Sequence, residues 1–109
     1  MTLVAALLLT SSATAAEGAQ ASAERGPKLF LDQKCSVCHS IAGKGNLKGP
    51  LDKVGNTLKA DEIREWITNA PEMAKKIKAE RKPPMRAYTS LSKEDVDGLV
   101  AYLSTLKKK

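Results

Sequence analysis

Aromatic residues, histidine and cysteine are all scarce in this chain of 109 residues. Aromatic side chains make up 4% of the sequence, and there are two cysteines and one histidine. A chain of this length forms one domain, and small domains with few large apolar side chains often depend on a disulfide, a metal or a bound cofactor. The sequence also lacks a G-x-S-x-G stretch and a phosphate-binding loop. These absences exclude the common hydrolase and nucleotide sites.

Charge is absent from the first sixteen residues, "MTLVAALLLTSSATAA". Their short apolar run, Leu3 to Leu9, precedes small residues that include Ala13-Thr14-Ala15, and it is too short for a comfortable membrane span. No lysine or arginine precedes the run, which is unusual for a secretory signal. We interpret residues 1–16 as a cleaved signal peptide, 17–22 as a flexible lead and 23–109 as the domain. The expected location is a bacterial periplasm, with membrane tethering if the segment is retained.

The scarce cysteines and the histidine fall together in "KCSVCHSIAG", residues 34–43. A disulfide between Cys35 and Cys38 would close a very short loop and stabilise little. A thioredoxin-like pair needs a buried strand before it, and the preceding residues have a helical pattern instead. A structural zinc site needs four soft or borderline ligands, and this chain has two cysteines and one histidine. C-x-x-C-H is also the haem-attachment signature, in which both thiols reach one porphyrin edge and His39 reaches the iron.

This stretch, behind an export signal, resembles the small monohaem c-type cytochromes of class I. The resemblance implies an all-α class I cytochrome c fold, with about four short helices and loops wrapped around one haem c. It also implies that Cys35 and Cys38 bind the haem covalently and that His39 is an axial ligand of the iron.

A second axial ligand must be something other than histidine, because the chain has only one. A methionine thioether is a soft ligand that suits iron and raises its reduction potential. Met73 follows Pro71 in a helical pattern, whereas Met85 follows Pro83 and Pro84, which hold the chain extended. The family carries its ligand methionine in a loop before the last helix, so the resemblance assigns Met85 to the iron.

Three further residues are candidate contacts of the haem or of its ligands. "KGPLDKVG" resembles a family stretch whose proline carbonyl accepts a hydrogen bond from the axial histidine, which points to Pro50. Such a contact orients the imidazole and increases its basicity. Trp66 is a candidate haem contact, through stacking or a propionate hydrogen bond, or else a core residue. Tyr88, shortly after Met85, has the same two interpretations.

The hydrophobic pattern predicts four helices and no strand of any length. The first runs from about Ala23 or Gly26 to the haem motif, the second lies in "LKADEIREWITNA" with Ile63, Trp66 and Ile67 on one apolar face, and the third starts at Pro71. In the last helix Ser92 is the expected N-cap and Asp95 approximates a capping box. The family crosses its first and last helices, and Gly26, Phe30 and Tyr102 resemble the residues at that crossing.

The formal net charge is +6, and six basic residues lie between Lys75 and Arg86 against one acidic residue, Glu80. This run favours acidic redox partner proteins, such as a membrane oxidase, a reductase complex or a dehydrogenase. No aromatic residues alternate with these charges, so nucleic acid is not expected. We expect a monomer.

An iron closed by His39 and Met85 would exchange single electrons, so the expected function is electron transfer rather than enzyme catalysis. Two alternatives stay open. One is a haem protein with a labile Met85 ligand that reduces peroxide or senses a gas. The other is a haem subunit dedicated to one dehydrogenase.

Overall fold

The computed structural model describes residues 23–108, so the predicted signal peptide and lead lie outside the described residues. Five α-helices lie wholly within them, with one 3₁₀ turn and a small sheet. In chain order the elements are α1 (Gly26–Asp32), the 3₁₀ turn (Cys35–Val37), β1 (Ser40–Ile41), β2 (Lys44–Gly45), α2 (Val54–Thr57), α3 (Ala60–Thr68), α4 (Ala70–Ile77) and α5 (Lys93–Ser104).

The predicted all-α class is confirmed, with two local differences. The glycine-rich stretch after the haem motif was expected to be loop, but it contains the antiparallel pair β1 and β2, in which Ser40 pairs with Gly45 and Ile41 with Lys44. It also contains the four-residue helix α2. None of the helices in the described range is long and apolar enough to cross a membrane.

Helices α1 and α5 pack closely where Gly26 faces Tyr102. A Cβ atom placed on Gly26 would lie 2.0 Å from the Cβ of Tyr102, so only a residue without a side chain allows this approach. Phe30, one turn further along α1, is 5% exposed and belongs to the core. The predicted crossing of the first and last helices is therefore confirmed.

The start of α5 is fixed by a side-chain cap. The hydroxyl oxygen of Ser92 accepts a hydrogen bond from the backbone N–H of Asp95 at 3.1 Å, which confirms Ser92 as N-cap. The Asp95 carboxylate does not complete a capping box, because it pairs with Arg25 just before α1. This ion pair links the first turns of the two crossing helices.

The buried core is small and consists of side chains from α1, α3 and α5. Its members are Leu29, Phe30, Ile63, Ile67, Val96, Leu99, Val100 and Leu103. A second set of apolar side chains packs against this core but is only partly buried, namely Cys35, Ile41, Leu51, Val54, Leu58, Tyr88, Leu91, Tyr102 and Leu106. The partly covered set leaves apolar surface for a further group to cover.

Candidate cofactor and metal site

The two cysteines and the histidine lie on one tight turn directly after α1. Lys34 enters the turn with a left-handed backbone, φ 60°. The backbone N–H groups of Cys38 and His39 then both donate to the carbonyl of Cys35, at 3.2 and 2.9 Å. Cys35 and Cys38 are free thiols and both are partly buried. The turn therefore presents two thiols and an imidazole from five consecutive residues.

The imidazole of His39 is oriented by a backbone carbonyl. Its Nδ1 lies 3.0 Å from the carbonyl oxygen of Gly49, which leaves Nε2 available to a metal. The prediction named Pro50 as the acceptor and was wrong by one residue. Ser40 N–H also donates to Gly49 O, and Leu51 N–H donates to Ser40 O. Because successive carbonyls alternate in direction along this extended segment, that of Gly49 faces His39 and that of Pro50 does not.

The surroundings of His39 favour its neutral form. Partial burial lowers the pKa of His39, the hydrogen bond to Gly49 acts in the opposite direction, and the positive charge of Arg81 lowers it further. Neutral imidazole is the form that binds a metal. The site therefore presents the ring in its ligating state at neutral pH.

Asn46 stabilises the same turn through hydrogen bonds, although the sequence pattern did not single it out. Its backbone N–H donates to the carbonyls of Ser36 and His39, each at 3.1 Å. Its side-chain Nδ2 donates to the carbonyl of Val37, also at 3.1 Å. Asparagine in a glycine-rich segment signals a turn, but nothing local shows that the segment folds back onto the cysteines.

The segment that carries Met85 is tied to this turn on its upstream side. A guanidinium nitrogen of Arg81 donates a hydrogen bond to the carbonyl of Cys38. Arg81 lies four residues before Met85, whose side chain is partly buried. The structure thus brings the proline-rich segment to the haem motif, as an axial ligand in this segment would require.

The segment is tied on its downstream side through Tyr88. Its hydroxyl donates to the carbonyl of Gln33 at 3.0 Å, and its backbone N–H donates to the carbonyl of Ile67 in α3 at 2.8 Å. Burial raises the pKa of the Cys35 thiol, and a hydrogen bond with Tyr88 lowers it in part. Tyr88, three residues after Met85, therefore ties the segment to Gln33, two residues before the first cysteine, and to α3.

Trp66 has a different environment from its helical neighbours. Ile63 and Ile67, on the same helix, are 2% and 4% exposed. Trp66 is only partly buried, and it is neither in the core nor among the side chains packed against it. Its interpretation as a core residue is therefore wrong, and its interpretation as a haem contact stays a prediction.

The donor set fits haem c better than a bare metal ion. Between residues 23 and 108, no three histidine, cysteine, aspartate or glutamate side chains cluster in a way that could hold a metal ion. Two free thiols on one turn and a neutral imidazole with one nitrogen available match the attachment residues and the axial histidine of haem c. The partly buried apolar side chains packed against the core supply apolar surface that the porphyrin ring of haem c would cover.

Comparisons with known proteins agree with this chemistry. Residues 23–107 match the family model for cytochrome c. The chain is 29% identical over 105 residues to cytochrome c oxidase subunit 2 of Alkalihalophilus pseudofirmus, with 88% of this chain aligned to 29% of that protein. It thus spans under a third of that relative's length. No solved structure matches the chain at a significant level. The chain belongs to the cytochrome c family, with the class I fold.

Proposed function

We propose that this protein is a one-electron carrier with a single haem c bound covalently through Cys35 and Cys38. His39 and Met85 would be the axial ligands of its iron. When bound, haem c supplies a ferric–ferrous couple. The observation that carries the proposal is the double attachment of the Met85 segment, through Arg81 to the carbonyl of Cys38 and through Tyr88 to the carbonyl of Gln33 just before the cysteine turn.

The chain's own residues would keep the ligands in place during a change of oxidation state. The carbonyl of Gly49 fixes the orientation of the His39 ring, and Asn46 fixes the backbone on which that ring is carried. Trp66, a partly buried residue of α3, would hydrogen-bond or stack against the cofactor. Ligands that are already oriented need little rearrangement when an electron arrives, which favours rapid transfer.

We expect replacement of both cysteines by alanine to abolish covalent attachment. The double variant Cys35→Ala/Cys38→Ala has no thiol to form a thioether, so its haem should separate from the polypeptide on a denaturing gel. Wild type and the control Met73→Leu should keep their haem stain. Retention of stained haem by the double variant would refute thioether attachment at this turn.

The proposed partner is an acidic redox protein. All six basic side chains of the run from Lys75 to Arg86 are exposed, and the run ends one residue after Met85. Exposed cations beside a redox site accelerate encounter with an acidic surface. The chain is similar to a subunit of an oxidase, which suggests a membrane oxidase as one such partner. The protein would reach this partner in the periplasm, after export and cleavage of its signal peptide.

Salt should slow electron transfer to an acidic acceptor. Raising the ionic strength from about 0.01 M to 0.15 M shortens the screening length from about 30 Å to about 8 Å, so the bimolecular rate should fall several-fold. Stopped-flow measurements should show a weaker salt dependence for Lys76→Gln/Lys78→Gln than for Lys107→Gln/Lys108→Gln, which removes equal charge elsewhere. Equal salt dependence in the two variants would contradict steering by this run.

A further inference from the structure

Arg81 differs from the other cations of the basic run because its guanidinium is directed into the site. It donates to the carbonyl of Cys38, the residue directly before the axial histidine. Within the described part of the run, Lys75 pairs with Glu72 at 3.5 Å and Arg86 lies over the ring of Tyr88, 5.0 Å from its centre. Arg81 is therefore the member of the run whose side chain is recorded as donating a hydrogen bond to the cysteine turn.

Gly49 provides the space that the guanidinium occupies. A Cβ atom on Gly49 would lie 2.1 Å from Nη1 of Arg81 and 2.3 Å from the carbonyl oxygen of Cys38. A side chain at position 49 would thus fill the place of the guanidinium. Gly49 is also the residue whose carbonyl orients His39. Arg81 therefore lies against both the residue before the axial histidine and the residue that orients it.

A cation fixed in this position has two physical consequences. The iron of oxidised haem carries one more positive charge than that of reduced haem, so a nearby cation disfavours the oxidised state. A hydrogen bond from a charged donor is also stronger than one between neutral groups. The hydrogen bond from Arg81 to the carbonyl of Cys38 joins the Met85 segment to the backbone next to His39. Arg81 lies four residues before Met85 in the sequence.

We propose that Arg81 is a positioning residue that clamps the Met85 segment onto the Cys38–His39 peptide and raises the reduction potential of the site. This inference rests on the proposed function, since it assumes that haem c is bound at the turn. Arg81 acts through the segment and through its charge, without touching the iron.

The test compares Arg81→Gln with Lys82→Gln, which removes the same charge from the adjacent residue. Two quantities are measured on the haem-loaded proteins: the reduction potential and the affinity of the ferric form for added imidazole, which competes with Met85. Arg81→Gln should have the lower potential and bind imidazole about tenfold more tightly, as expected for loss of one charge-assisted hydrogen bond. Lys82→Gln should stay close to wild type in both.

The variant Arg81→Lys separates the two effects. It keeps the charge but loses the planar fork, so its potential should stay closer to wild type while its imidazole affinity rises. Equal values for Arg81→Gln and Lys82→Gln in both measurements would overturn the proposal. If Met85 is not an axial ligand, the ferric wild-type protein will lack the sulfur-to-iron charge-transfer band. Failure of the proposed ligation is therefore detected separately from failure of this proposal. The difference in potential between the two glutamine variants would still decide the role of Arg81.

Discussion

Replacing Met85 with leucine should eliminate the weak long-wavelength sulfur-to-iron band of the ferric protein and lower its reduction potential. Leucine has nearly the volume of methionine but no sulfur lone pair, so the packing of the segment is kept while the ligand is lost. Axial ligands set haem potentials over a range of about 0.8 V. Loss of the thioether should therefore lower the potential by on the order of 0.2 V.

Met73→Leu is the matched control for this prediction. Met73 is a partly buried residue of α4, a helix whose first turn holds Pro71, whereas Met85 lies in the segment tied to the cysteine turn. We expect Met73→Leu to retain both the band and the potential of wild type. Loss of the band in Met73→Leu, with Met85→Leu unaffected, would transfer the axial role to α4.

Replacing Gly26 with alanine should destabilise the protein, although alanine is the better helix former. The gain in helix propensity is at most about 1 kcal/mol. The new Cβ, however, would lie 2.0 Å from the Cβ of Tyr102, so α1 and α5 would have to separate. Overpacking of this kind costs about 1–3 kcal/mol and occasionally more. We expect a net loss of about 2 kcal/mol in the free energy of unfolding, or roughly 10 °C in Tm.

Lys28→Ala provides the control for this second prediction. Lys28 is an exposed residue of the same helix, so the substitution changes helix propensity only slightly and meets no neighbour. Guanidinium unfolding of the haem-loaded proteins should give Lys28→Ala a free energy of unfolding within about 0.5 kcal/mol of the wild-type value. Unchanged or increased stability of Gly26→Ala would show that the close crossing is not required.

The parts of the fold that could be predicted are those encoded by neighbouring residues. The cysteine turn is encoded in five consecutive positions. The N-cap Ser92 precedes an apolar stripe with helical spacing, and the structure has the cap where the sequence indicated it. The short helix α2 was missed because four residues are too few for a hydrophobic period to be visible.

The contacts around His39 could not be predicted because their partners are distant in the sequence. Arg81 is separated from Cys38 by 43 positions, and in the sequence it is one cation among six. Asn46 looked like an ordinary turn residue, and its three carbonyl partners became apparent only when the segment folded back. The choice between Gly49 and Pro50 depended on the direction of one peptide group, which sequence does not encode locally.

The absorption spectrum of the ferric wild-type protein, matured in a host that attaches haem c, tests the central claim most directly. With His39 and Met85 on the iron, the spectrum should be low-spin and should contain the weak sulfur-to-iron charge-transfer band. A high-spin spectrum without this band would contradict closed ligation. It would make peroxide reduction or gas sensing at an open iron the leading interpretation.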